Sequence, residues 1–255
     1  MILSASIRLV VAALCGFVPT SLMAAEPQAA AVSTFAPADD LVDQIGFFVG
    51  RVDEALAKKV EYDEAKQTRV KKDAHTLAVL ALALGLHDKD HPRKSSAAAL
   101  VKSSQALAKD FENFDLATAA LANVKKAAAG EVQDPAPLKW EKVASMGALM
   151  KQVTFVNGNL SRAVNGQRFA RQSAAAAAQA ATLAVIAQST VFDTHEVKDP
   201  ADLEKWYQLS NEWRDAAAEI NSAAHAGDQA KAAAGYKRMH KSCDACHEVF
   251  RPEVK

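Results

Sequence analysis

The stretch Thr76-Leu77-Ala78-Val79 returns in the chain as Thr182-Leu183-Ala184-Val185, 106 residues later. A second pair of stretches, Gln44-Ile45-Gly46-Phe47 and Gln152-Val153-Thr154-Phe155, is separated by 108 residues. Residues 115–130 can also be aligned with residues 228–243 at an offset of 113. Each match is short, and the sequences of alanine-rich helices often match by chance. The three matches nevertheless occur in the same order along the chain. We therefore predict a tandem repeat of one structural unit.

The composition of the 255 residues is typical of a helical protein. Half of the residues are hydrophobic but only 6% are aromatic, and runs such as residues 174–178 make much of the apolar share alanine. Because alanine favours helices whereas strands favour β-branched and aromatic residues, this composition argues against a β-sandwich or a β-barrel. The 30 Lys and Arg residues balance the 30 Asp and Glu residues, so the charge gives no reason to expect a nucleic acid as partner.

Apolar residues at helical spacing predict four helices in each half of the chain. The predicted helices cover about residues 41–56, 62–86, 95–111 and 115–129, and then about residues 138–165, 167–191, 202–224 and 228–250. Asp39-Asp40 and Asp228 are candidate caps at helix starts. Asp134-Pro135-Ala136-Pro137 predicts a linker, because two prolines in three residues cannot continue a helix. The fold class that follows is all-α, with two tandem antiparallel four-helix bundles, residues 33–130 and 140–255, joined by residues 131–139.

Residues 1–25 are predicted to form a cleavable signal peptide for export. Arg8 precedes the apolar residues 9–17, and Ser21-Leu22-Met23-Ala24-Ala25 offers a cleavage site. The alternative is an uncleaved anchor helix, against which Pro19 interrupts the apolar run early. Because no later stretch looks long and apolar enough to span a bilayer, we expect no membrane span after signal removal. The predicted location is periplasmic.

Signal removal leaves two of the three cysteines, and both lie in Cys243-Asp244-Ala245-Cys246-His247. The pattern Cys-x-x-Cys-His is the attachment signature of c-type haem. The two thiols can reach the two vinyl groups on one edge of the porphyrin while the imidazole reaches the iron, and on a helix all three side chains share one face. A zinc site would need further ligands at suitable spacing, and a thioredoxin-like pair would need a βαβ context. We therefore predict one covalent haem c.

Only eight residues follow His247, so a second axial ligand comes from upstream or does not exist. The five methionines are Met1, Met23, Met146, Met150 and Met239. The first two leave with the signal peptide, and Met239 shares a predicted helix with His247 and cannot reach the opposite haem face. Met146 and Met150 remain, one turn apart on the predicted buried seam, either as a ligand or as core residues.

The segment from Cys243 to Arg251, placed at the end of the last helix of a four-helix bundle, resembles the class II cytochromes c, the cytochrome c prime family. The resemblance covers residues 138–255, and the first half resembles the family only through the internal repeat. It implies a haem packed between the helices, with His247 as the proximal ligand and Arg251 near the haem edge. Where Cys243 stands, the first half has Gly130, so we expect a haem-free first bundle.

The same resemblance implies that the residue over the distal haem face decides the function. Counting back from Gly166 places Met150 there, and one turn earlier this chain has Met146 where many relatives have a basic residue. With His247 and Met150 as axial ligands of the iron, no coordination position is open, and the expected function is electron transfer to a redox partner protein rather than catalysis. The alternative is a five-coordinate protein that binds nitric oxide or carbon monoxide.

The region around the motif and the role of the first bundle give further expectations. Residues 231–255 contain six basic residues and three acidic ones, namely Lys231, Lys237, Arg238, Lys241, Arg251 and Lys255 against Asp244, Glu248 and Glu253. This excess favours either an acidic partner at the haem edge or a solvated helix face. Trp206 and Trp213 are expected in the core or the haem wall. The first bundle either covers a dimerisation face, which predicts a monomeric pseudo-dimer, or binds a partner protein.

Overall fold

The computed structural model describes Pro27 and residues 29–252, and every regular element among these residues is a helix. The all-α prediction is therefore confirmed. The α-helices are α1 Ala38–Leu56, α2 Lys59–Ala65, α3 Lys71–Gly85, α4 Ala97–Asp110, α5 Phe114–Ala128, α6 Met146–Asn165, α7 Phe169–Val191, α8 Leu203–His225 and α9 Gln229–Phe250. A π-helical turn, Lys66–Val70, joins α2 to α3. The predicted signal peptide, residues 1–25, lies outside the described residues, as do Glu253 and Lys255.

The helices pack in two groups that follow the order of the chain. In the first group α1 packs on α3 and α5, while α4 packs on α3 and α5. In the second group α6 packs on α7 and α9, while α8 packs on α7 and α9. Contacts of α1 with α7, and of α3 with both α6 and α7, join the groups. Apolar residues of both groups form one continuous buried cluster.

Helices α3 and α7, which carry the repeated Thr-Leu-Ala-Val stretch, lie at the centre of this cluster. Leu77 and Leu80 of α3 and Leu183 and Ile186 of α7 are fully buried. Helix α7 is long and apolar enough to cross a membrane, but 83% of its most apolar window is buried inside the protein. The expectation that no stretch after the signal reaches this length and hydropathy was therefore wrong. A helix that is apolar on all sides is what the centre of a helical core requires.

The two helix groups also meet through a polar contact between positions that open repeated stretches. Thr182 of α7 donates a hydrogen bond to Gln44 Oε1 of α1 at 3.0 Å. Thr76 of α3, which aligns with Thr182, and Gln152 of α6, which aligns with Gln44, are fully buried. Two of the four positions that open the repeated stretches thus form a direct bond between the helix groups.

The predicted start of α6 was wrong by eight residues, because the helix begins at Met146 and not near Leu138. Tertiary contacts hold the preceding segment in a non-helical form. The Leu138 side chain packs directly against Gly85, so that a Cβ on Gly85 would clash with Leu138 Cδ1. Trp140 stacks on Phe192 with ring centroids 5.8 Å apart. These contacts replace the helical hydrogen bonds that the sequence pattern predicted.

The two predicted helix caps have different outcomes. Asp228 caps α9, because its carboxylate accepts a hydrogen bond from the Lys231 backbone N–H at 3.0 Å. Asp40 does not cap α1, which begins earlier, at Ala38. Its buried carboxylate instead accepts hydrogen bonds from Asn221 at 2.5 Å and pairs with His225 at 2.8 Å. Asp40 therefore joins the first turn of α1 to α8 of the other helix group.

A close approach between α8 and α9 predicts the effect of adding one methyl group. A Cβ on Gly235 would lie 2.9 Å from Ile220 Cγ1 and 3.4 Å from the Ala216 carbonyl oxygen, whereas a Cβ on Gly158 of α6 would meet no atom within 4 Å. We expect Gly235→Ala to lower the free energy of unfolding by about 1–3 kcal/mol through overpacking. We expect Gly158→Ala, the matched control, to raise it by up to about 1 kcal/mol through helix propensity. Chemical denaturation of both variants measures the difference, and equal effects would contradict the close approach.

Candidate cofactor site

One cavity of about 420 Å³ lies between α6, α8 and α9. Its wall contains all five residues that the sequence predicts for the site, and also Met146: Met146, Met150, Cys243, Cys246, His247 and Arg251. The two ligand candidates on α6 and the motif on α9 are about 100 residues apart in the chain and share this wall only because α6 and α9 pack together. The volume falls within the range of roughly 300–1,000 Å³ that is usual for cofactor sites.

Helix α9 places the motif in the cavity wall. Cys243, Cys246 and His247 are half-buried and follow one another at the three- and four-residue spacing that puts them on one helix face. Both cysteines are free thiols. Burial raises the pKa of Cys243 to about 12 and that of Cys246 to about 11. The wall therefore presents two neutral thiols and one imidazole to the cavity.

Helix α6 places both candidate methionines in the same wall. Met146 is buried in a small apolar cluster with Trp206, Leu209 and Phe250. Met150, one turn later, is half-buried and packs against both this cluster and the main core. Met239, which the sequence analysis excludes as a ligand, is buried in the main core and is not part of the cavity wall.

Helix α8 contributes two tryptophans to the wall, as expected from their seven-residue spacing. Trp206 donates a hydrogen bond from Nε1 to the Thr190 carbonyl oxygen at 2.8 Å, and its ring meets that of Phe250 edge-on at 5.0 Å. Trp213 is more than nine-tenths buried, and its Nε1 has no hydrogen-bond partner among the described residues. A buried N–H without an acceptor costs about 1–3 kcal/mol. This donor therefore suits a bound group that carries an acceptor.

Two charged groups at the cavity wall, Arg251 and Glu196, pair with each other. Arg251 Nη1 lies 2.8 Å from Glu196 Oε1, which belongs to the segment between α7 and α8. Nearer the N-terminus of α9, Lys231 pairs with Asp228 and Arg238 pairs with Glu219. Three of the six basic residues near the motif therefore have carboxylate partners. The acidic docking partner stays a prediction, for which exposed Lys237 and Lys241 are the remaining described cations.

The first half has a counterpart to this cavity at the repeat-equivalent place, with a volume of only about 10 Å³. At the offsets of the sequence repeat, the lining residues Val42, Ile45 and Leu84 correspond to Met150, Val153 and Thr190 of the large cavity. Arg93 crosses this region and donates a hydrogen bond to the Ala128 carbonyl oxygen. The first half therefore repeats the site in position but has no room there for a porphyrin.

The residues of the large cavity fit a covalent haem better than a bare metal ion. In the part of the chain that the structure describes, no three His, Cys, Asp or Glu side chains form a cluster that could hold a metal ion. A metal next to His247 would thus need further ligands, which a macrocycle could supply. The apolar wall, the pair of neutral thiols and the orphan donor of Trp213 suit such a group.

Comparisons of the chain with models of known protein families, with curated proteins and with solved structures found no match. A functional assignment therefore depends on the residues and the geometry of this chain.

The two tryptophans of α8 predict unequal stability effects for the same substitution. Trp206→Phe and Trp213→Phe remove a similar volume, but only Trp206 loses a hydrogen bond within the protein. In protein with an empty cavity, we expect Trp206→Phe to lower the free energy of unfolding by about 1 kcal/mol more than Trp213→Phe. Urea denaturation measures both values. Equal losses would show that the Trp213 N–H already has an acceptor in the chain.

Proposed function

We propose that the chain is an exported c-type cytochrome that carries one covalent haem and transfers single electrons. The observation that carries this proposal is the meeting of the Cys243-Asp244-Ala245-Cys246-His247 motif with Met150 in the wall of one apolar cavity. Thioether and imidazole side chains are the axial ligands that electron-transfer haems use. The signal-peptide pattern of residues 1–25 supports export to the periplasm, where c-type haem is attached.

In this proposal, each residue of the cavity has a definite task. Cys243 and Cys246 would hold the cofactor through thioether bonds, and His247 would bind its iron from α9. Met150 would bind the iron from α6, and Arg251, held by Glu196 at 2.8 Å, would lie near the cofactor edge. When bound, the haem would supply an iron that gains and loses one electron. Neutral side chains and an apolar wall around the iron would favour its less charged, reduced state.

We further propose that the helix groups are two tandem bundles of the cytochrome c prime type, one haem-free and one haem-bearing. The packing of α1, α3, α4 and α5 as one group and of α6–α9 as another supports this arrangement. The matched lining positions of the large and small cavities support the common origin of the two groups. The reciprocal contacts, α1 on α7 and α3 on α6, are those of a pseudo-dimer within one chain.

The visible spectrum of the purified exported protein tests the proposal. We expect sharp reduced bands, a weak far-red sulfur-to-iron band in the oxidised protein, and no response of the reduced protein to carbon monoxide. A haem-stained denaturing gel tests the covalent bond, and Cys243→Ala with Cys246→Ala should abolish that stain. A colourless protein, or one whose haem leaves on denaturation, would contradict the proposal.

The second candidate function, binding of nitric oxide or carbon monoxide at a five-coordinate iron, has one observation in its favour. Met150 packs against both apolar clusters, so its side chain has a packing role even without iron. Under this alternative the reduced spectrum is broad and shifts at once under carbon monoxide. The same spectra therefore separate the two functions.

Replacement of Met150 by leucine tests the sixth ligand directly. Leucine fills a similar volume but has no sulfur, so we expect Met150→Leu to abolish the far-red band and to open the iron to carbon monoxide. Met146→Leu, in the same wall, and Met239→Leu, in the main core, are matched controls that should leave both properties unchanged. Loss of the far-red band in Met146→Leu alone would move the ligand to Met146. Unchanged spectra in all three variants would eliminate a methionine ligand.

A further inference from the structure

A second concave region, a groove of about 550 Å³, adjoins the cofactor cavity. Both halves of the chain build it: Gln67, Lys71 and Lys72 come from the first half, and Ser145 and Lys151 come from the second. The groove and the cavity share three wall residues, Gly147, Lys151 and Thr154. A group bound in the groove would therefore lie next to a group bound in the cavity.

The groove carries positive charge without a compensating carboxylate. Three lysines line it, Lys71, Lys72 and Lys151, and its lining includes no Asp or Glu. Within the described residues none of these three lysines forms an ion pair, whereas lysines elsewhere do, as Lys102 does with Asp134 and Lys142 with Asp193. Lys71 Nζ lies 4.9 Å from the centroid of the Phe111 ring, which attracts the ammonium but carries no compensating charge. The groove thus contains three cations that no carboxylate of the described residues pairs with.

The charges around Lys72 show that the cations at the groove repel one another. Burial lowers the pKa of Lys72, nearby Asp73 opposes this shift, and the like charges of Arg51 and Lys151 add to it. Asp73 is fully buried and already pairs with Arg51 Nε at 2.8 Å. Its charge is therefore shared between two cations, and an anion in the groove would relieve the remaining repulsion.

The other side chains of the groove can bind an anion as well as attract it. Ser145 supplies a hydroxyl group. Thr68 and Thr154 donate hydrogen bonds to backbone carbonyl oxygens of the preceding helical turn and Gln67 donates to Glu112 Oε1, so these three side chains would exchange those partners for a bound anion. Lysine ammonium groups act as compact point charges on phosphate-like ligands, and hydroxyl and amide N–H groups add directional hydrogen bonds. Gly147 adds no side chain, which keeps the side of the groove next to the cavity open.

We propose that this groove is an oxyanion-binding site assembled by both halves of the chain. The oxyanion has two possible sources that share one chemistry. One is a free anion such as inorganic phosphate, which needs no cofactor in the cavity. The other is a carboxylate on the edge of a haem in the adjoining cavity, a source that rests on the proposed function. In either case the first half supplies Lys71 and Lys72 to a site beside the cavity of the second half.

Titration calorimetry with inorganic phosphate tests the first source on the exported protein. The test variant is Lys71→Gln with Lys72→Gln, which removes two charges from the first half and keeps a polar side chain at both positions. The control variant is Lys237→Gln with Lys241→Gln, which removes two exposed charges from α9. We expect phosphate to bind the wild-type and control proteins alike and to bind the test variant at least tenfold more weakly. Should the double test variant fail to fold, the phosphate affinities of Lys71→Gln and Lys72→Gln are each compared with that of the control.

The midpoint potential of the same proteins in phosphate-free buffer tests the second source. If a carboxylate of the cofactor supplies the oxyanion, we expect phosphate not to bind. The midpoint potential of the test variant should then shift more than that of the control, because the removed lysines pair with that carboxylate. Absence of both phosphate binding and a differential shift overturns the proposal. A protein that binds phosphate through Lys71 and Lys72 but shows no haem spectrum would retain this site and lose only the proposed electron-transfer function.

Discussion

Burial of α3 and α7 is the constraint on which the other contacts depend. Each of these helices is apolar on nearly every side, and each fully buried leucine or isoleucine contributes about 1.5–3 kcal/mol. Many of their other buried residues are alanines, whose small side chains let neighbouring helices approach closely. Neither helix group covers its central helix completely, because α3 also contacts α6 and α7, and α7 also contacts α1. The two groups therefore complete each other's core.

The difference between the two cavities follows from a few side chains on a shared framework. In the second half, Trp206 and Trp213 form a wide wall, and the partner helix presents unbranched methionines. In the first half, the Arg93 side chain lies in the small cavity, and its guanidinium group donates a hydrogen bond to the Ala128 carbonyl oxygen. The same arrangement of helices thus yields one cavity large enough for a cofactor and one that is filled by the protein itself.

Much of this arrangement could be predicted from the sequence, because helical periodicity is a local signal. The ends of most helices lie within a few residues of their predicted positions, and the motif with its methionines converged on one wall. The start of α6 was not predictable, since contacts of Leu138 with Gly85 and of Trp140 with Phe192 decide it. The role of Asp40 was missed for the same reason, because its partners lie on α8.

The charged groove has no counterpart at the repeat-equivalent place. At the offset of the Thr-Leu-Ala-Val repeat, Lys71 and Lys72 correspond to Ala177 and Ala178, which are buried in the core. In a symmetric dimer of one unit every substitution occurs twice, so a lysine pair suited to one copy would also be buried in the other. A single chain is free of this restriction, because each of its residues occurs once. The two helix groups can therefore carry different side chains where they face each other.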